Sequence, residues 1–227
     1  MLSTLNIRLF SNDQYILDKV IYSNFYRIKK LEENDVIVDV GAHAGFFSVA
    51  ARLSGSKKIY AYEPLPQNYE VLVKNTETLS DVVKTSNLAV FYSYGFVDFK
   101  NPVFDSENKI FDFSNVSLAQ NGESFSRCIC CSLEDLLTNL PEEKVKILKV
   151  STGGGELQIL SACQNYSKVE NIVGETPEED TSVIQKAIDH LKSQGFVNSW
   201  FSKDKEDGSR VFIFSKGDSE QTFKLKD

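Results

Sequence analysis

One acid, two glycines and a histidine follow a hydrophobic run in DVGAHAG: Asp39, Gly41, His43 and Gly45. Glycines there let the backbone pass close to a ligand just before a helix N-terminus begins. The spacing is G-x-x-x-G, whereas a dinucleotide site asks for G-x-G-x-x-G, so a nicotinamide or flavin oxidoreductase loses ground. After the next hydrophobic run comes Glu63-Pro64, where a carboxylate can accept hydrogen bonds from both hydroxyls of a ribose. Each signal alone also fits a turn glycine or a solvated strand-end acid; together they favour a cofactor with ribose and no pyrophosphate. A third stretch, VSTGGGELQIL from Val150 to Leu160, breaks a hydrophobic run into three glycines ahead of a helix. It lacks the lysine and hydroxyl of G-x-x-x-x-G-K-[ST], so it does not read as a phosphate loop.

These residues need strand ends to hold them. VIVDVGA is a continuous apolar run of the kind buried on both faces of a parallel sheet. FFSVAARL carries a helical stripe, KIYAYEP reads as the next strand, and Pro66 opens the helix PQNYEVLVKNTETL, its fixed φ suiting a first turn. VVKTSNLAVFY supplies a third strand region. Turn signals between Tyr92 and Arg127 suggest short antiparallel strands or loops. CICCSLEDLLTNL is a strand and then a helix that Ser132 can cap, with Asp135 at the capping-box position. VKILKV and NIVGE are strands, SVIQKAIDHLKSQG is an amphipathic helix ending at Gly195, and GSRVFIFSK contributes to a closing antiparallel pair. The alternation implies an α/β fold, a doubly wound, mostly parallel sheet with a closing antiparallel strand. Apolar residues from Ile16 to Ile28 recur at helical spacing, which predicts a helix over 13–31. Residues 1–34 are accordingly expected to form a helical segment packed on a main domain of 35–227.

Composition narrows the function. A chain of 227 residues with 41% hydrophobic content can bury one full core. A net charge of −7 argues against a nucleic-acid surface. No apolar run approaches the roughly 18 to 20 residues that cross a bilayer, and the opening MLSTLNIRLFSNDQ does not read as a signal peptide. Four cysteines do not make a disulfide framework at this length, and reduced thiols in the cytoplasm are the simplest reading. A zinc site wants separated pairs or nearby histidines, and the chain has only His43 and His190, so no metal is expected.

VIVDVGAHAGFFSVAAR, IYAYEPLPQNYEVLVKN, NLAV, SLEDLL, ILKVSTGGGELQIL and IVGE occur in the order and spacing that resemble the FkbM-like S-adenosylmethionine-dependent methyltransferases. The resemblance covers residues 35–200 and implies a class I methyltransferase sandwich, a Rossmann-like fold, that binds S-adenosylmethionine and O-methylates a hydroxyl of a small molecule or glycan. It implies that Asp39, Gly41, His43 and Gly45 form the cofactor loop, that Glu63 holds the ribose, and that Asn87, Leu88 and Ala89 lie beside the adenine. The stretch Asn115, Val116, Ser117 and Leu118 resembles the family's serine-bearing loop over the pocket, with Ser117 a cofactor contact. Glu175 would face the acceptor.

The same resemblance exposes a departure. Where the family carries a strand ending in Asp, then a hydrophobic residue, Glu and Gly, this chain has Ser151, Thr152, Gly153 and Gly154. Ser151 supplies a hydroxyl at the cofactor and catalytic position but no charge. Glu175, His43 and Ser151 are the candidates for the catalytic side. Asp39 can serve as a cofactor ligand or orient the loop through backbone amides, His43 can move a proton or pack the loop, and Asn87 can meet adenine or form a turn. The alternative to an active enzyme is a catalytically impaired cofactor-binding or partner-binding protein on the same fold.

Overall fold

The computed structural model describes residues 5–102, 104–105, 109–112, 118–176, 180–202 and 210–225. Seven strands form the main sheet: β1 (Val36–Val40), β2 (Lys58–Tyr62), β3 (Val83–Ser86), β9 (Val145–Val150), β10 (Val169–Thr176), β11 (Asn198–Phe201) and β12 (Arg210–Ser215). Their spatial order is β11-β12-β10-β9-β1-β2-β3. Neighbours from β3 to β10 pair in parallel, and β12 runs antiparallel to both β10 and β11. The expected mostly parallel sheet with a closing antiparallel strand is therefore present. Strand order reverses around β1, whose Ile37 sits beside Ile59 on one side and Ile147 on the other. Ligands collect outside the carboxyl ends of strands at such a switch point.

The period-2 alternation of β1 feeds two cores. Ile37 packs with α2 (Phe46–Ser54), α3 (Pro66–Thr76) and the N-terminal segment through Val49, Leu72 and Val20. Val36, Val38 and Val40 face the opposite layer, built by α4 (Leu133–Asn139), α5 (Glu156–Ala162) and α6 (Thr181–Ser193). Every residue of β1 is buried, which is why its sequence is a continuous apolar run rather than an alternating one. Asp39 shares the face of Ile37, and that placement governs its role.

Two expectations change. The helix over 13–31 stops early: α1 spans Asp13–Leu17 and a π-helical turn spans Asp18–Tyr22. Asn24 then takes φ 46 and exchanges hydrogen bonds with the Ile28 backbone, closing a loop. Phe25, Ile28 and Leu31 are buried in the same core as Val20, so their spacing reflects anchoring to one surface and not helical continuity. The run VVKTSNLAVFY also divides. β3 stays in the main sheet, while β4 (Ala89–Phe91) leaves it to pair with β8 (Phe125–Ser132), which also pairs with β5 (Gly95–Lys100). The strand read in CICC is thus part of a small second sheet over the first, with a core of Leu65, Val97, Phe99, Cys128 and Cys130. A further pair, β6 (Phe104–Asp105) and β7 (Ile110–Phe111), completes the region. Ser132 caps α4 by accepting from the Asp135 N–H, as its position predicts.

Candidate active site

The carboxyl ends of β1, β2, β9 and β10 open into one cavity of about 740 Å³, within the roughly 300–1,000 Å³ of small-molecule sites. The N-terminal segment supplies one wall through Tyr15, Ile16, Lys19 and Tyr26, and the small sheet supplies another through Ala89, Val90, Phe91 and Phe99.

The turn after β1 is fixed from below. Gly41 has φ +74, and a Cβ there would lie 1.9 Å from the Ser151 carbonyl oxygen, so only glycine lets the ends of β1 and β9 meet. Lys149 Nζ, buried in β9, donates to the Gly41 carbonyl at 2.6 Å and lies 3.1 Å from Asp39 Oδ1. Asp39 Oδ2 accepts from Ser48 Oγ at 2.7 Å. Asp39 is fully buried and absent from the cavity wall. Of its two readings, loop support fits, but through a lysine and a serine side chain and not through backbone amides. Gly45 (φ +86) likewise lies outside the cavity wall, where a Cβ would press Leu72.

Glu63 is 3% exposed and lines the cavity. Its Oε2 accepts from the His43 N–H at 2.8 Å, and its Oε1 accepts from the Leu65 N–H and Asn68 Nδ2. Burial pushes its carboxyl up, against the pull of those three donors. A carboxylate has about four acceptor positions, so one on Oε2 is left for a ligand.

His43 takes φ 53 and lines the cavity. Its Nε2 lies 3.2 Å from an Arg8 guanidinium nitrogen. Because arginine only donates, this contact assigns Nε2 as the acceptor and the proton to Nδ1, which is buried with no hydrogen-bond partner among the described residues. Burial pulls the ring's pKa down to about 4 against the opposing Asp13 charge, with the Arg8 and Lys149 charges adding to the lowering. The ring is therefore neutral with Nε2 turned to Arg8, an arrangement that suits packing of the loop.

The adenine-side expectation is redistributed. Asn87 spends its amide on the carbonyls of Glu63 and Pro64, at 2.8 and 2.9 Å, pinning the chain where β3 gives way to β4. Leu88 faces a second cavity of about 590 Å³ with Tyr60 and Tyr62. Ala89 and Leu118 do line the main cavity. Asn115, Val116 and Ser117 lie outside the described residues.

Ser151 and Glu175 converge. Ser151 Oγ donates to Glu175 Oε1 at 3.0 Å, Tyr26 Oη lies 3.4 Å from the same oxygen, and Lys19 Nζ pairs with Oε2 at 2.7 Å. Burial above all, then the Glu175 charge, raises the Tyr26 phenol well above its usual value, so it is a donor. In the glycine turn, Gly153, Gly154 and Gly155 have φ 77, 131 and 82. Glu156 reaches back into the turn, its Oε1 accepting from the Thr152 and Gly154 N–H groups at 2.8 and 2.9 Å. The turn's own carboxylate thus occupies the donors that a phosphate would need. Glu156 Oε2 is buried with no hydrogen-bond partner among the described residues.

Lys149, Tyr26, Lys19 and Arg8 are site residues that sequence patterns did not single out. Lys149 leaves a signal, a lysine in a strand buried on both faces; the others leave none.

The chain matches the family described as Methyltransferase FkbM domain over residues 39–197. Methyltransferase sdnD of Sordaria araneosa is 28% identical over 214 residues, covering 81% of this chain and 82% of that protein. Hexuronic acid methyltransferase AglP of Haloferax volcanii is 24% identical over 167 residues, 70% of this chain and 65% of that protein. The crystal structure of methyltransferase FkbM from Methylobacillus flagellatus KT superposes with a TM-score of 0.52 at 11% identity, a likeness of fold. That alignment covers 87% of this chain and 47% of the other, so the chain spans about half of that protein's length.

Proposed function

The chain belongs to the FkbM methyltransferase family, and from that premise we propose that it moves a methyl group from S-adenosylmethionine to a hydroxyl of a small molecule or glycan. The observation that carries the reading is Glu63, a buried strand-end carboxylate fixed by the glycine loop with one acceptor position left toward the cavity. The donor set fits the cofactor: Glu63 for a ribose hydroxyl, Ala89, Val90 and Phe91 as an apolar wall for a base, and the turn at Gly154 and Gly155, where a Cβ would meet nothing within 4 Å, as an open floor. S-adenosylmethionine supplies an electrophilic methyl group when bound.

The protein's task is then to align an acceptor oxygen within about 3 to 3.5 Å of the reacting carbon and to exclude water. A hydroxyl acceptor must also lose its proton. Glu175 is the carboxylate that takes it, Ser151 and Tyr26 orient that carboxylate, and Lys19 stabilises its charge. The relative that acts on a hexuronic acid supports a glycan among the acceptors. Cys128, Cys130, Cys131 and Cys163 are free thiols, which supports the cytoplasm as its compartment. No helix among the described residues is long and apolar enough to cross a membrane. The impaired-protein alternative is not favoured: Glu63 and its glycine loop are in place, and Glu175 lines the cavity beside Ser151.

The test is incubation with methyl-labelled cofactor and a set of hydroxylated small molecules and glycans. Label in an alkali-stable ether is expected. Label only in an alkali-labile ester would move the acceptor to a carboxylate, and no transfer to any hydroxyl despite cofactor binding would sink the O-methylation reading.

A further inference from the structure

Both residues that steady Glu63 from the glycine-loop and α3 sides are held by one arginine far away in sequence. Arg8 donates from a terminal nitrogen to Asn68 Oδ1 at 2.8 Å, and another lies 3.2 Å from His43 Nε2. The same guanidinium donates from Nε and a terminal nitrogen to Asp13, at 2.9 and 2.6 Å, and Asp13 is fully buried. Because arginine cannot accept, Asn68 must turn its oxygen toward Arg8 and its amide nitrogen toward Glu63 Oε1. The same rule assigns His43 Nε2 as the acceptor toward Arg8, and the His43 backbone N–H is the donor to Glu63 Oε2.

A second strut runs beside the first. Asn75 Nδ2 donates to the carbonyls of Ala44 and Asn6, at 2.8 and 3.2 Å, and Asn75 Oδ1 accepts from the Asn6 N–H at 2.6 Å. Arg8 therefore reaches the glycine loop at His43 directly, and Asn6 reaches it at Ala44 through Asn75.

We infer that Arg8 is a positioning residue of the cofactor site, setting the orientation of Asn68 and His43 so that Glu63 presents its remaining acceptor position to a ribose diol. This rests on the methyltransferase reading of the cavity. Docking of the N-terminal segment and recognition of the diol are then coupled, and each strengthens the other by the same factor. Lysine cannot replace Arg8, because a single ammonium lacks the fork that serves Asp13, Asn68 and His43 together.

The test compares S-adenosylhomocysteine with its 2′,3′-dideoxy analogue by calorimetry, in wild type, Arg8→Met and Arg8→Lys. Wild type is expected to prefer the diol, and Arg8→Met to lose about tenfold of that preference, the scale of a hydrogen bond to a charged group. Arg8→Lys is expected to recover thermal stability but not the preference. A purely structural role lowers both affinities equally and leaves their ratio unchanged, and that result overturns the inference. Imidazole nitrogen NMR of the wild type needs no variant: with two histidines in the chain, His43 should show the Nδ1–H form, and the Nε2–H form would overturn the arginine's role. Failure of wild type to bind S-adenosylhomocysteine at all would instead bring down the cofactor reading, and this inference with it.

Discussion

Ser151 Oγ donates a 3.0 Å hydrogen bond to Glu175 Oε1, joining the ends of β9 and β10 at the cavity wall. The Ser151 hydroxyl thus lies in direct contact with a carboxylate from the next strand. Lys19 and Tyr26 from the N-terminal segment hold that carboxylate in place.

Glu175→Gln should lower kcat by about 10² to 10⁴, the usual worth of a positioned base, with affinity for S-adenosylhomocysteine within a few-fold of wild type. Steady-state rates at saturating cofactor, paired with calorimetry, give both numbers. An equal loss in binding and turnover would assign Glu175 to cofactor binding instead.

Restoring the family acids should not improve the protein. Ser151→Asp places a second carboxylate against Glu175, and two like charges at that distance force one to stay protonated. Gly153→Glu puts a side chain at φ 77, where a non-glycine residue costs about 1 kcal/mol or more. The double variant should melt lower than wild type and turn over more slowly; faster turnover would show that the Ser151–Glu175 pair is a defect.

Lys149→Met should cost about 3 to 5 kcal/mol, because it strands a fully buried Asp39 without its counter-charge. Adding Asp39→Asn should recover much of the loss. Denaturant unfolding of the two variants measures this, and additive losses would mean that Asp39 and Lys149 are independent.

Stability should fall in mild acid through His43. Its folded pKa of about 4 lies below the unfolded value near 6.5, so the unfolded chain binds more protons between those values. The stabilisation is present above about pH 6.5 and is lost as pH falls toward about 4. The loss is on the order of 3 kcal/mol. His43→Asn, which tolerates the positive φ, should flatten this part of the profile. Unfolding curves at several pH values would read a slope unchanged by the substitution as evidence against it.

Much of this site was legible because its acids and glycines end strands. Asp39, Glu63 and Glu175 stand at the ends of apolar runs whose length already indicates a parallel sheet, and the G-x-x-x-G spacing already counted against a dinucleotide loop. The direction in which a strand-end side chain points was harder to read. Asp39 shares the Ile37 face and turns inward to Lys149, and Leu88 turns into the other cavity, because the chain leaves the main sheet at Asn87. Arg8 was invisible: its partners at the site, His43 and Asn68, lie 35 and 60 residues away, and no local pattern encodes such a contact. The N-terminal helix was overextended because residues anchored to one core surface can mimic helical period without a helix.

The most direct test of the account is titration of S-adenosylhomocysteine into wild type and Glu63→Ala, with folding of each checked by its melting curve. Wild type should bind with a dissociation constant well below millimolar, and the folded variant should bind at least about tenfold more weakly, as expected when a charged acceptor is removed. No binding by wild type at millimolar ligand, or equal binding by both proteins, would contradict it.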